Sequence, residues 1–316
     1  MRSLSVRLAA LAATAALALS AAACGSSGSA STPAAADASG TGFPAAITTA
    51  IGVVHVKSRP GTIVSLSPTA TEMLYAIGAG SQVKAVDDDS DYPPQAPMTK
   101  LSGFDPNLEA IVSYKPDLVV ISNNVQGLAK HLAGFSIPVL DLPAPAGLPG
   151  VYSEFDQLGR ATGHLTQAEH EVATLRRQIS QVTASVPRHA EPVTYYYELD
   201  QTFYSLTSST FVGNLLSLLG MKSIADGASG AAAAGGYPQL SAEYIVKASP
   251  DYIILADTVC CHQDAATVAA RPGWSGLAAV KEGHVIPLDD DIASRWGPRI
   301  VDLLRAVATG ITKGSG

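Results

Sequence analysis

Residues Leu108 to Val120 read LEAIVSYKPDLVV, and residues Ala242 to Ile254 read AEYIVKASPDYII. In both stretches a Glu is followed by Ile-Val and, seven residues after the Glu, by Pro-Asp and a run of β-favouring apolar residues. A motif that occurs twice is too sparse for a solenoid, which needs three or more short repeats. The repetition therefore predicts two similar lobes, each with the motif at the same place.

The segments around the two motifs alternate between strand-like and helix-like patterns. Helices are predicted where Ser67 and Pro68 supply an N-cap and a first-turn proline, and in TFVGNLLSLLG, which ends at Gly220. The strand candidates are TIVSL, KAVDD, DLVVIS and PVLDL in the first half, and VTYYYEL, TFYSL, YIILA and HVIPL in the second. Such alternation predicts an α/β fold made of two Rossmann-like lobes, residues 46–150 and 188–316.

A long amphipathic segment, residues 151–187, lies between the predicted lobes. Thr166 and Glu169 have the spacing of a capping box, and Pro187 would end the helix. Apolar residues recur at helical spacing at Val172, Leu175, Ile179, Val182 and Val186. The helix that this spacing indicates, from Thr166 to just before Pro187, is about 21 residues long and spans roughly 30 Å, about the width of a small domain. We therefore expect one long rigid α-helix to join the lobes, with a ligand cleft between them and no large closing motion.

The N-terminus has the pattern of an export signal. Residues 1–23 begin with Arg2 and Arg7, continue with an apolar Leu/Ala stretch and end in small residues, which predicts a signal peptide rather than a membrane span. The small residues lead directly to Cys24, a pattern that resembles a bacterial lipoprotein signal with a lipidated cysteine; a plain signal peptide is the alternative. The Gly, Ser, Ala and Pro of residues 24–45 predict a flexible tether.

Composition excludes some partners. Hydrophobic residues make up 47% of the 316-residue chain, enough for two ordinary domains. The formal net charge is −7, and it becomes −9 without the two arginines of residues 1–23. This acidic balance argues against nucleic acid as a partner.

Besides Cys24 the chain has two cysteines, Cys260 and Cys261, which are adjacent. In an exported protein they form either a vicinal disulfide or two free thiols. A zinc site is disfavoured because adjacent cysteines lack the usual separation and His262 alone is near.

Aromatic residues precede the two motifs and point to a shared ligand. Phe104 leads the first motif and Tyr237 the second, so each lobe could offer one aromatic surface at the carboxyl ends of its strands. Other candidates near the predicted cleft are Tyr92, Tyr204, Arg295 and Trp296. Each aromatic alone could equally be an ordinary core or rim residue.

Glu109 and Glu243 occupy matched positions on the first turn after each aromatic residue. A single Glu there usually only complements the helix dipole. One on each lobe predicts a pair of docking charges for a partner with two-fold symmetry.

Several motifs together resemble a known family. TIVSLSPTATEMLYAIG, DSDYPP, NLEAIVSYKPDLVV, the central helix and SRWGPRI, in this order, resemble the helical-backbone class of substrate-binding proteins of ABC importers, and most closely its cobalamin-binding members. The resemblance covers residues 62–304. It implies a protein that binds a metal chelate, needs no cofactor or metal of its own, and delivers its ligand to an ABC permease dimer with its ATPase. It also implies a monomer, lipid-anchored to the outer face of the cytoplasmic membrane.

The same resemblance assigns roles to residues. It implies that Phe104 and Tyr237 replace two tryptophans that pack on the corrinoid, and that Glu109 and Glu243 meet basic residues of the permease. It further implies that the cleft is lined by Tyr204, Asp291 and Arg295. The chain departs from the cobalamin-binding members at Asp89, where they have an aromatic residue. A ferric siderophore or haem is therefore the alternative ligand.

Other functions receive less support from the sequence. The runs Asp87 to Asp89 and Asp289 to Asp291 could be the carboxylates of a secreted hydrolase, but such runs are more often solvated loop ends. The chain lacks a P-loop and the sequence motifs of serine hydrolases and zinc proteases. A surface adhesin would need no cleft, and mutation of Phe104 and Tyr237 would leave it intact.

Overall fold

A computed structural model of the chain describes residues 42–188 and 190–314. The predicted signal peptide, Cys24 and the first part of the predicted tether lie outside the described residues. Phe43 packs against the core, and a β-hairpin that the sequence did not predict begins two residues later. Its antiparallel strands are β1 (Ala45–Thr49) and β2 (Gly52–Val56).

The N-terminal lobe contains a parallel sheet whose described strands run in the order β5-β4-β3-β6-β7. They are β3 (Ile63–Leu66), β4 (Val83–Asp87), β5 (Met98–Leu101), β6 (Leu118–Ile121) and β7 (Val139–Asp141). Its helices are α1 (Pro68–Ala76), α2 (Leu108–Ser113) and α3 (Leu128–Ala133). Ser67 caps α1 through its side chain, with Pro68 in the first turn, as predicted.

Two helices connect the lobes. They are α4 (Leu148–Thr162), which packs on the hairpin, and α5 (Leu165–Ser185), which packs on α4. The predicted capping box is wrong, because α5 begins at Leu165, before Thr166. Gly163, at a φ of 75°, ends α4, and His164 takes the N-cap position without a side-chain hydrogen bond.

The C-terminal lobe contains a second parallel sheet, with its described strands in the order β11-β10-β8-β9. They are β8 (Val193–Glu198), β9 (Met221–Ser223), β10 (Tyr252–Leu255) and β11 (Val285–Pro287). Its helices are α6 (Phe211–Leu218), α7 (Ala242–Ala248), α8 (Ala265–Ala269), α9 (Ala278–Lys281), α10 (Asp290–Ser294) and α11 (Ile300–Gly314). Short 3-10 turns occur at Gly80–Gln82, Val125–Gly127, Ile224–Gly227 and Trp274–Gly276.

The strand predicted at TFYSL is wrong. Tyr204 makes an isolated antiparallel bridge to Gln239 and belongs to no named strand.

A continuous apolar core joins the lobes. It runs from Val120 of the N-terminal sheet through Phe155 on α4, Leu175 on α5 and Leu304 on α11 to Tyr197 of the C-terminal sheet. Two further clusters cover the opposite faces of the sheets, one around Ile111 and α2, the other around Ile245 and α7. The predicted architecture of two α/β lobes and a long connecting helix is confirmed.

The repeated motif performs the same structural task in both lobes. The carboxylate of Asp117 accepts hydrogen bonds from the backbone N–H groups of Gly61 and Thr62 at 2.8 and 2.9 Å, next to β3. Asp251 accepts hydrogen bonds from the backbone N–H and the hydroxyl of Thr194, both at 2.7 Å, in β8. Asp117 therefore links β6, the strand that follows it, to β3. Asp251 links β10 to β8 in the same way.

The backbone of the two motifs also matches. Lys115 and Ser249, the residues before the two prolines, both have a left-handed φ, of 51° and 47°. This shared turn ends each short helix and directs the chain into the next strand.

Candidate functional site

The carboxyl ends of the two sheets meet across the cleft. Arg295 follows α10 in the C-terminal lobe, and its Nη2 donates to the carbonyl oxygen of Asp89, in the loop after β4, at 2.9 Å. The same nitrogen lies 2.9 Å from a carboxylate oxygen of Asp91. Because ligands of parallel α/β sheets bind outside the carboxyl ends of the strands, these facing loops define the candidate ligand site.

A buried acid on α1 holds the two lobes together. The Glu72 carboxylate, 2% exposed as a residue, accepts from Arg295 Nη1 at 3.0 Å. It also accepts two hydrogen bonds from Arg299, at 2.6 and 3.0 Å. Buried charges of this kind are tolerated only when they are paired and hydrogen-bonded, as here.

Two further acids complete this charge cluster. Asp291 Oδ1 accepts from Arg295 Nη2 at 2.6 Å. Burial raises the pKa of Asp291 to about 6; the charge of Arg295 opposes this, and that of Asp91 adds to it. The pKa of Asp91 is lowered, because desolvation, which acts to raise it, is outweighed by the hydrogen bond and charge of Arg295. The two carboxylates are therefore pushed in opposite directions, and Asp291 holds a proton more readily than Asp91 does.

The predicted aromatic residues of the N-terminal lobe are exposed on this side. Phe104, in the loop after β5, is 73% exposed, and Tyr92, in the loop after β4, is 42% exposed. The guanidinium of Arg299 lies 4.3 Å from the ring centre of Tyr92, a cation–π contact that fixes one face of the ring. The loop of Phe104 approaches the sheet closely, since a Cβ on Gly103 would lie 2.7 Å from the carbonyl oxygen of Leu66.

In the C-terminal lobe, Tyr204 and Tyr237 are brought together. The backbone N–H of Ser205 donates to the carbonyl of Pro238 at 3.0 Å, so the segments that carry the two tyrosines run side by side. Tyr204 is 42% exposed and Tyr237 44%. The sequence prediction of one aromatic surface per lobe therefore corresponds to exposed rings in both lobes.

Arg295 and Trp296 contact other protein groups. Arg295 is 8% exposed and is occupied by the oxygen atoms described above. Trp296 is half-buried, and its Nε1 donates to Glu154 Oε2 on α4 at 2.8 Å. Burial raises the pKa of Glu154 to about 8, against the lowering effect of the Trp296 hydrogen bond. Both residues thus hold the lobes in place beside the cleft.

A buried polar network supports the loop after β4. Ser90 donates to Asp87, and Thr71 Oγ1 lies 2.9 Å from Ser65 Oγ and 3.0 Å from Ser90 Oγ. Burial raises the pKa of Asp87 to about 6, with the Ser90 hydrogen bond opposing the shift. The first of the three aspartates considered as possible catalytic groups is therefore a structural residue. Nothing in the sequence distinguished it from Asp88 and Asp89, which are exposed.

A separate apolar pocket lies where the lobes join. It has a volume of about 590 Å³ and lies between residues 146–150 and the side chains of Asn214, Leu215 and Leu218 on α6. Asn214 Nδ2 donates to the carbonyl of Ala146 at 2.9 Å, which links the lobes at this edge. The volume is in the range of pockets for small organic ligands.

The predicted docking residues occupy equivalent places. Glu109 is in the first turn of α2, capped by Asn107, and Glu243 is in the first turn of α7, capped by Ser241. Both glutamates are exposed.

The adjacent cysteines lie in the loop after β10. The structure joins Cys260 and Cys261 by a disulfide bond. Within the described residues there is no group of three or more His, Cys, Asp and Glu side chains that could hold a metal ion. Across the same residues, no helix has the length and apolar character needed to cross a membrane.

Comparison with known proteins gives the family. Residues 63–292 match the family model described as periplasmic binding protein. An uncharacterised ABC transporter substrate-binding lipoprotein of Bacillus subtilis is 30% identical over 267 residues, which cover 82% of each chain. A vitamin B12-binding protein of Pectobacterium atrosepticum is 31% identical over 251 residues, covering 77% of this chain and 85% of that protein.

Solved structures agree on the fold. The periplasmic vitamin B12 binding protein of Vibrio cholerae is 25% identical, with a TM-score of 0.68 over 81% of this chain and 98% of its own. A siderophore binding protein, solved with two acinetobactin molecules and ferric iron, has a TM-score of 0.71 over 85% of this chain and 98% of its own. At 21% identity the second likeness shows the fold alone.

The chain belongs to the periplasmic binding protein family, whose members bind solutes and are not enzymes. Within this family it is a substrate-binding protein of an ABC importer, which acts outside the cytoplasm and works with a permease and an ATPase. The resemblance inferred from the sequence motifs is thereby confirmed, and a hydrolase is excluded.

Proposed function

We propose that the protein captures cobalamin between its two lobes and delivers it to an ABC permease. The observation that carries this proposal is the pair of exposed aromatic surfaces at the carboxyl ends of the sheets: Tyr92 and Phe104 on one lobe, Tyr204 and Tyr237 on the other. A corrinoid is a broad, largely apolar ring, which aromatic side chains bind by packing on its face. The relative from Pectobacterium atrosepticum, named as vitamin B12-binding, supports the same ligand.

The ligand would be bound without any covalent change. Phe104 and Tyr237 would pack on the corrinoid, and Asp291, which is half-buried at the edge of the charge cluster, would supply a polar contact. Arg295 and Trp296 would not contact the corrinoid directly; their hydrogen bonds would hold the lobes that carry the ligand-binding side chains in position.

Delivery would use the matched glutamates. Glu109 and Glu243, one on each lobe, would meet basic residues of the two permease subunits. Rim charges of this kind set the orientation and rate of docking rather than ligand affinity. The monomeric protein would stay near its partner through a lipid on Cys24, at the outer face of the cytoplasmic membrane.

A second candidate ligand is a ferric siderophore or haem. Asp89 is exposed in the loop that faces the C-terminal lobe, where cobalamin-binding members have an aromatic residue. Phe104 and Tyr237 are also smaller than the two tryptophans that they replace. A cleft with smaller rings and an added carboxylate would suit a more polar chelate, which favours a ferric siderophore over haem.

Isothermal titration separates these ligands. The full chain carrying Cys24→Ser would be titrated with cyanocobalamin, a ferric hydroxamate siderophore and haemin. Tight one-to-one binding of cyanocobalamin is expected. Binding of the siderophore or haemin without cobalamin would replace the proposed ligand but keep the transport role.

A further inference from the structure

The loop after β10, residues 258–263, occupies the middle of the C-terminal wall of the cleft. β10 lies between β11 and β8 in the sheet, so the chain that leaves its carboxyl end is flanked by the loops after both neighbours. Thr258 Oγ1 donates to the carbonyl of Leu288 at 2.6 Å, beside the segment that reaches the N-terminal lobe through Asp291 and Arg295. We call residues 258–263 the cysteine loop.

Polar contacts fix the backbone of the cysteine loop from two sides. The carboxylate of Asp290 accepts from the backbone N–H groups of Val259 and Cys260, at 2.9 and 2.7 Å. The carbonyl of Cys261 accepts from Gln201 Nε2 at 3.2 Å and from Gln263 Nε2 at 3.0 Å.

Gln263 is itself held in place. Its Oε1 accepts from Arg271 Nη2 at 2.7 Å, and Arg271 forms two hydrogen bonds of 2.5 Å with the buried Glu198 at the end of β8. The cysteine loop therefore rests on an ion pair anchored in the sheet, and its outer surface is left free for contacts.

That outer surface carries apolar side chains beside the exposed imidazole of His262. Val259 is 61% exposed, and Cys260 is also exposed, whereas Cys261 is half-buried. The disulfide closes a small ring that includes the peptide bond between the cysteines, which limits the conformations of the loop before any ligand arrives. A rigid, solvent-facing surface loses little conformational entropy when it binds a ligand.

We propose that the Cys260–Cys261 disulfide is a ligand-binding element of the C-terminal wall, which packs its sulfur atoms against the chelate and holds the loop ready for binding. This inference rests on the proposed function, namely capture of a metal chelate in the cleft. Opening the disulfide would release the loop and weaken binding. The reduction consumes two electrons and two protons, breaks the S–S bond and leaves two thiols, while an added dithiol is oxidised to its own disulfide.

The test uses the full chain carrying Cys24→Ser, so that Cys260 and Cys261 are its only cysteines. Thiols are first titrated before and after treatment with the dithiol. Affinity for cyanocobalamin, haemin and a ferric hydroxamate siderophore is then measured for the oxidised protein, for the reduced protein after removal of the dithiol without air, and for Cys260→Ser with Cys261→Ser. The double-serine variant, treated with the dithiol in the same way, controls for effects of the reductant elsewhere.

We expect two thiols to appear only after reduction. The ligand that the oxidised protein binds should be bound roughly tenfold more weakly by both the reduced protein and the double-serine variant. The dithiol should not change the affinity of the double-serine variant. If the double-serine variant fails to fold, the reduced protein still gives the comparison.

Two results would overturn the inference: two free thiols in the untreated protein, or equal affinity of the oxidised and reduced forms. Failure of the proposed function gives a different result: the oxidised protein itself would bind none of the three probes. That result would contradict both the proposed function and this inference.

Discussion

Arg295 of the C-terminal lobe donates a 3.0 Å hydrogen bond to Glu72 of the N-terminal lobe, and both side chains are buried. Arg299 reaches the same carboxylate, so one acid neutralises parts of two guanidinium groups. Because the partners lie on different lobes, this contact fixes the width of the cleft. Arg295, which the sequence resemblance places in the cleft, therefore has both of its Nη atoms hydrogen-bonded to oxygen atoms of the protein.

Removal of the charge on Glu72 should be costly. Glu72→Gln would leave two buried or half-buried guanidinium groups without their shared anion, and we expect the free energy of unfolding to fall by about 3 kcal/mol. Chemical denaturation measures this change. The exposed pair Arg305–Asp302, also at 3.0 Å, provides the matched control, and Asp302→Asn should cost less than about 1 kcal/mol. Equal losses in the two variants would show that burial of the Glu72 contact has no energetic role.

Glu154 should make stability depend on pH. Its pKa rises from the ordinary 4.5 to about 8 in the folded protein. Between these values the folded state binds more protons than the unfolded state, so the wild type loses stability as pH rises, and the loss is complete above about pH 8. Glu154→Gln keeps an acceptor for Trp296 and removes this effect. Its Tm should exceed that of the wild type by several degrees at about pH 9 and by little at about pH 5; the same difference at both pH values would contradict the assignment.

The aromatic surfaces should carry ligand affinity. Phe104→Ala combined with Tyr237→Ala removes one ring from each lobe, and we expect cyanocobalamin to bind roughly 100-fold more weakly. Isothermal titration measures the affinity. Phe135→Ala is the control, because Phe135 is 56% exposed but lies between α3 and the start of β7, away from the cleft. Unchanged affinity in the double variant would show that the two rings do not contact the ligand.

The two glutamates should separate binding from uptake. Glu109→Arg with Glu243→Arg should abolish import of labelled ligand by whole cells, because like charges would face the permease, and should leave affinity within about twofold. Glu169→Arg with Glu282→Arg reverses two other exposed glutamates, outside α2 and α7, and should import normally. Weak ligand binding by the first variant would place its glutamates in the cleft instead.

The elements that local patterns specify were predictable. The cap of α1 at Ser67 and Pro68, the buried strands such as β6 and β10, and the length of α5 follow from apolar runs, capping residues and helical spacing. The strands β9 (MKS) and β5 (MTKL) were missed because each has a polar interior and no apolar run, and the hairpin was also missed. TFYSL has strand-like composition, but tertiary contacts make it a loop that positions Tyr204.

The charged contacts between the lobes were the main omission. Glu72 lies within the apolar run of α1, where a buried acid is unusual, and that was the available signal. Its partners Arg295 and Arg299 follow more than two hundred residues later, and no local pattern connects them. Partners so distant in sequence become visible only in the folded chain.

The aspartates of the two Pro-Asp pairs also bear on how such a protein evolves. Asp117 and Asp251 each secure strand pairing with contacts that lie wholly within one lobe. These contacts lie at the amino ends of the strands, whereas the binding loops follow the carboxyl ends, so changes in those loops do not remove them. Selection can therefore change the binding loops, and with them the cargo preference, without losing the contacts that pair the strands of either sheet.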